Sequence, residues 1–179
     1  MLKIVIPGFE RFDDSKGEFI NIKEQTLQLE HSLVSLSKWE STWCKPFLEK
    51  GNKEREESID YIRCMTLTQN VDPRVFLGIT NTNIEEVTKY IEAPMTATVF
   101  SNAKKAGNKE IITAEIIYYW MIASNIPFEC QKWHLNRLLT LINVCHIKNQ
   151  PQKKMGRREI LSRNASINAA RRQAYNTKG

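Results

Sequence analysis

The stretch from Glu110 to Asn149, EIITAEIIYYWMIASNIPFECQKWHLNRLLTLINVCHIKN, decides the reading of this chain. Two apolar runs flank a short break at Asn125-Ile126-Pro127. In the first run Ile112, Ile116, Tyr119 and Ala123 fall at helical spacing, and Ile117, Trp120 and Met121 fill the opposite side. A helix that is apolar on nearly every side is expected to be buried. In the second run Leu135, Leu138, Leu139, Ile142 and Cys145 follow the i, i+3, i+4, i+7 rule of a one-faced helix. Pro127 has no N–H to donate inside a helix, so it marks the start of the second one. The spacing predicts an αα-hairpin, with helices over 111–123 and 130–147, on which the remaining elements pack.

One polar pair stands out in this hairpin. Glu115 lies in the otherwise apolar first run, and Arg137 lies between His134 and Leu138 in the second. Counted outward from the break, each is 11 positions away. An antiparallel hairpin brings them level, and a buried charge needs a partner. An ion pair between Glu115 and Arg137 is therefore the expectation, against the alternative that one or both reach solvent.

Upstream, Leu2–Ile6, Glu18–Ile22 and Thr26–Leu29 read as short strands, joined closely enough to make an antiparallel sheet. Pro7–Lys16, with its Pro, Gly, Asp and Ser, reads as a loop. Ser32 caps a helix in which Leu33, Leu36, Trp39 or Glu40, and Trp43 share a face, ended by Pro46 or kinked there near its end. Lys50–Glu57 reads as charged and solvated. Helix resumes at Ser58, with Glu54, Glu56 and Glu57 where the dipole favours acids. Asp72-Pro73 marks a turn or helix start. Asn83 is placed as the cap of a short helix through Ile84, Val87, Tyr90 and Ile91. Met95–Phe100 reads as one more strand and Ser101–Lys109 as a polar loop. The fold class expected is α+β and mainly helical, with a small N-terminal antiparallel sheet.

The chain has 179 residues, enough for one domain with a core. A single globular domain is expected over 1–150, followed by an arm over 151–179. No apolar run approaches the roughly 18 residues of a membrane span, and MLKIVIPGFE lacks the apolar region of a secretory leader. Four scattered cysteines, with no CxxC, suit reduced thiols. Cys130 and His134 are i, i+4, yet Cys145-His146 lies about 22 Å further along the same predicted helix, so no metal site is expected. No GxSxG, phosphate-cradling loop or HExxH pattern occurs, and neither catalysis nor a cofactor is expected.

Charge is the informative bulk feature. From Lys148 to Gly179 nine Lys or Arg face one acid, Glu159, a net +8 that leaves −2 for the rest of the total +6. The basic residues Lys153, Lys154, Arg157, Arg158, Arg163, Arg171, Arg172 and Lys178 sit on a helix-compatible stretch with a thin apolar stripe of Ile160, Leu161, Ile167, Ala170 and Ala174. Apart from Lys178, these are the candidate partner-binding residues. Such an arm suits phosphates, an acidic or helical protein partner, or plain solvation as a tail.

Four stretches carry a resemblance: LEHSLVSLSKWESTWCKPFL (29–48), DYIRCMTLTQNVDP (60–73), EIITAEIIYYWMIASNIPFECQKWHLNRLLTLINVC (110–145) and KKMGRREILSRNASINAARRQ (153–173). They resemble a group of small proteins encoded in the tail-gene region of tailed bacteriophages, similar to tail assembly chaperones. The resemblance implies a partner, the long, helical and hydrophobic tape-measure protein, kept soluble in the bacterial host cytoplasm while the tail tube polymerises around it. It also implies absence from the finished virion, a frameshifted longer form that extends past the basic arm, and no nucleotide or metal. Self-association stays open. The competing classes are a virion structural protein, such as a head–tail connector or minor tail component, and a DNA-binding packaging component.

Overall fold

The computed structural model describes residues 1–13, 17–49, 51, 53–100, 111–150 and 156–176. It divides into two compact units, Met1–Ile147 and Lys148–Gly179. The fold is α+β and mainly helical, as the patterning predicts.

Four strands open the first unit. Strand β1 (Leu2–Ile6) pairs antiparallel with β4 (Gln25–Leu29), and β2 (Phe9–Asp13) pairs antiparallel with β3 (Glu18–Ile22). The two pairings nest, so the chain runs out along β1 and β2 and returns along β3 and β4. Period-two alternation does the sorting: Ile4 and Ile6 on β1 and Leu27 and Leu29 on β4 face inward, while Lys3 and Gln28 face out. The predicted loop over 7–16 is corrected in part, because Phe9–Asp13 is a strand. It carries only two aromatic residues, and its pairing depends on β3. Phe12 meets Phe19 across the pair edge to face at 5.1 Å. Gly8 sits where the two pairings meet. A Cβ there would lie 3.0 Å from the Glu24 nitrogen and 3.1 Å from the Ile22 oxygen.

Helix α1 (Leu33–Trp43) starts at a reciprocal cap between Ser32 and Ser35 and ends at Cys44 in the left-handed region, ahead of Pro46. It is the hub of the unit, packing against α2 (Arg55–Met65), α4 (Ala114–Ala123) and a 3-10 turn over Phe128–Lys132. Leu33, Leu36, Trp39 and Glu40 are buried along it. Helix α2 begins at Arg55, ahead of the predicted Ser58, because Glu54 and Glu57 form its own N-terminal box. Glu57 is thereby buried, contrary to a solvated run over 50–57. It pairs with Lys45 at 2.6 Å, and that hydrogen bond holds its carboxyl below the usual range. After α2 the chain runs beside β4, with Leu67 N–H donating to the Gln28 carbonyl.

A 3-10 turn at Pro73–Gly78, capped by Asp72, leads to α3 (Asn81–Glu92). The cap of α3 is Thr80. Asn83, the predicted cap, completes the box from the third helical position and donates from Nδ2 to the Val5 carbonyl of β1. Met95–Phe100 forms no strand. Its β-branched residues find no sheet edge, and Val99 is 86% exposed. Residues 101–110, read as a loop, lie outside the described residues.

The predicted hairpin is corrected. Helix α5 (Leu135–Asn149) starts five residues later than the expected 130, after the 3-10 turn and an extended step at Trp133-His134. His134 forms an isolated antiparallel bridge with Ser32, and Leu135 N–H donates to the His31 carbonyl at 2.7 Å. Helix α4 packs on α1. Leu135, Leu138 and Ile142 are the buried face of α5. In the second unit, α6 spans Arg157–Tyr175.

Candidate functional site

The expected Glu115–Arg137 ion pair is absent from the ion pairs of the described residues. Both side chains are exposed. Glu115 stands in the first turn of α4, where the helix dipole favours an acid. The Arg137 guanidinium lies 4.3 Å over the Trp133 ring. Equal counting from the break assumed two continuous helices. The bridge at His134 interrupts the second and directs α5 elsewhere.

Within the arm, Arg157–Tyr175 form helix α6, as the composition allowed. Lys153 and Lys154 lie outside the described residues, and of Arg157 only the backbone is described. Arg158, Arg163, Arg171 and Arg172 are exposed, and so is every other described side chain of α6.

Helix α4 presents the feature that sequence reading missed. Ala114, Ile117 and Met121 are buried toward α1, but the helix is not covered all round. Tyr119 is 65% and Ile122 60% exposed, with Ala123 beside them and Ile116 half-buried. Ile111 before the helix and Phe128 after it are exposed too. The outer face of α4 is thus apolar and carries a single charge, Glu115. A run apolar on all sides signals burial; here the outer side is left largely exposed. The inner side is fixed in place by Glu40, whose carboxylate caps the first N–H of the helix.

A buried polar chain crosses the same unit. The His31 ring Nδ1 and the Tyr61 hydroxyl lie 2.5 Å apart, and the His31 and His134 rings meet at 5.2 Å. His134 Nε2 donates to the Tyr90 carbonyl at 3.0 Å while its Nδ1 accepts the Asn136 N–H, which defines the neutral tautomer. The Tyr90 hydroxyl donates to Glu30, which pairs with the Met1 amino group. Burial, with His134 adding to it, pushes His31 down to about 3. The His134 ring is lowered too, chiefly by burial. Both imidazoles are therefore neutral structural groups at neutral pH.

Between α2 and α3 lies a cleft of about 580 Å³, floored by Phe47, Tyr61, Ile62 and Val87 with Lys53 at its rim. The Lys53 ammonium sits 4.3 Å over the Phe47 ring, and desolvation lowers its pKa. No group of three His, Cys, Asp or Glu side chains suited to a metal ion occurs among the described residues. All four cysteines are free. No described helix is long and apolar enough to cross a membrane. Comparison with protein-family models, curated proteins and solved structures finds no match to this chain.

Proposed function

We propose that this chain is a non-catalytic tail assembly chaperone of a tailed bacteriophage, working in the host cytoplasm to keep the tape-measure polypeptide soluble. The observation that supports this reading is the uncovered apolar face of α4. Ile116, Tyr119, Ile122 and Ala123 form an apolar strip about two turns long on a rigid, capped helix. An amphipathic or apolar helix is recognised by such a strip through anchors at i, i+3, i+4 and i+7. A tape-measure protein supplies helices of that kind along its whole length. Glu115 at the edge of the strip favours a partner helix with a Lys or Arg at one end. The four sequence stretches that resemble tail assembly chaperones support the same reading.

The test is co-expression with the tape-measure protein of the same phage. The wild-type chain should bring it into the soluble fraction and co-purify with it. The double change Tyr119→Ser, Ile122→Asp should abolish this while leaving the melting temperature within about 3 °C, since both side chains are exposed. Equal insolubility of the tape-measure protein with and without the chain would end the proposal. Detection of the chain in purified virions at stoichiometric level would favour a structural component instead.

A further inference from the structure

We propose that α6 is a nucleic-acid-binding helix, a role additional to and independent of the partner face on α4. The first ground is charge. The segment from Lys148 to Gly179 carries +8, against −2 for the remaining chain, so positive charge is concentrated in one short segment. A polyanion releases condensed counterions to such a segment, which an isolated acidic side chain does not.

The second ground is the arrangement on the helix. With 19 residues α6 is about 28 Å long. Asn164, Asn168, Arg171 and Tyr175 follow each other at i, i+4, i+7 and i+11 and share one face. Leu161 and Arg172 border that face, and Arg158 follows beyond Arg172. Amides read base edges, arginine contacts phosphate or a guanine edge, and a tyrosine ring offers a stacking surface for an unpaired base. All of these side chains are exposed, Tyr175 at 76%.

The third ground weighs against a protein groove as the ligand of this helix. The apolar stripe of α6 has three large side chains, Ile160 and Leu161 at one end and Ile167 about two turns further on, and continues only in Ala170 and Ala174. Helices that dock in grooves present large anchors on successive turns. The face of Asn164, Asn168, Arg171 and Tyr175 carries a polar side chain at every turn.

The experiment uses the full chain and fluorescein-labelled 24-mers of single-stranded RNA, single-stranded DNA and duplex DNA, read by anisotropy between 50 and 300 mM salt. Binding that weakens steeply with salt is expected, and the tightest of the three probes identifies the nucleic acid. The triple change Arg158→Gln, Arg171→Gln, Arg172→Gln should weaken binding at least tenfold at the lowest salt. It should also flatten the log–log salt slope by about 2–3, at roughly 0.7–0.9 per lost phosphate contact. Asn164→Ala with Asn168→Ala should weaken binding with an unchanged slope, which a purely electrostatic tail would not do. Circular dichroism and thermal melts confirm that both variants keep their helices. The proposal is overturned if no probe binds at 50 mM salt, if the arginine changes leave affinity unaltered, or if the asparagine changes have no effect. It is equally overturned if α6 is needed only for capture of the tape-measure protein.

Discussion

The Glu40 carboxylate on α1 accepts the Ala114 N–H that opens α4 at 2.7 Å, and with its other oxygen the Phe47 N–H at 2.9 Å. One buried carboxylate thus ties α1 and the turn that follows it to α4, which is distant in sequence. It also explains how α4 is held with only one apolar side covered: its first turn is capped from the hub helix.

Replacement Glu40→Ala is expected to cost about 2–6 kcal/mol, since it strands two buried N–H donors at roughly 1–3 kcal/mol each. Urea unfolding reads this directly. A loss under about 0.5 kcal/mol would show that water replaces the carboxylate at no cost.

Leu138 is fully buried on α5. Leu138→Ala should cost roughly 2–5 kcal/mol, the range for emptying a core leucine site. The same change at Ile122, which is exposed on α4, should cost far less. Equal losses at the two positions would mean that the outer face of α4 is covered in solution.

Stability should fall as pH falls. His31 is pushed down to about 3, and His134 is lowered as well. Both titrate near about 6.5 in the unfolded chain. Below that pH the unfolded chain binds the extra protons, so the native state is fully favoured above about 6.5 and loses ground as pH drops toward 3. Each such proton contributes a slope of up to about 1.4 kcal/mol per pH unit. Urea midpoints at pH 7.5, 6 and 5 measure it. His31→Leu should be less stable at pH 7.5, because the Tyr61 hydroxyl loses its partner, yet should show a shallower decline with acid. A parallel decline would assign the acid sensitivity to carboxylates.

Glu115→Gln and Arg137→Met should be additive, with a coupling below about 0.3 kcal/mol, because the two groups are exposed and unpaired with each other. A coupling above about 1 kcal/mol would restore the ion pair expected from sequence.

A chain ending at Gln150 should melt within about 4 °C of the full protein. The side chains described in α6 are exposed, so their removal uncovers little apolar area. Failure of the shortened chain to fold would assign Ile160, Leu161 and Ile167 to the core.

Much of the fold was legible locally. Alternation marked β1, β3 and β4, Ser32 announced α1, and the spacing of Leu135, Leu138 and Ile142 identified the buried face of α5. These signals depend on period and capping, which a single segment carries by itself. The concentration of charge in the arm is likewise a property of composition. The rest depended on partners. β2 exists because β3 lies beside it, and Met95–Phe100 stays irregular because no strand edge reaches it. The apolar run of α4 reads as buried on every side, yet only packing decides which sides receive neighbours. Glu115 and Arg137 are level in a counted hairpin, and the bridge between Ser32 and His134 separates them. Sequence determined which residues prefer helix, strand or water. Tertiary structure alone decided which apolar face stayed uncovered, because burial is a relation between segments and no segment encodes its neighbour.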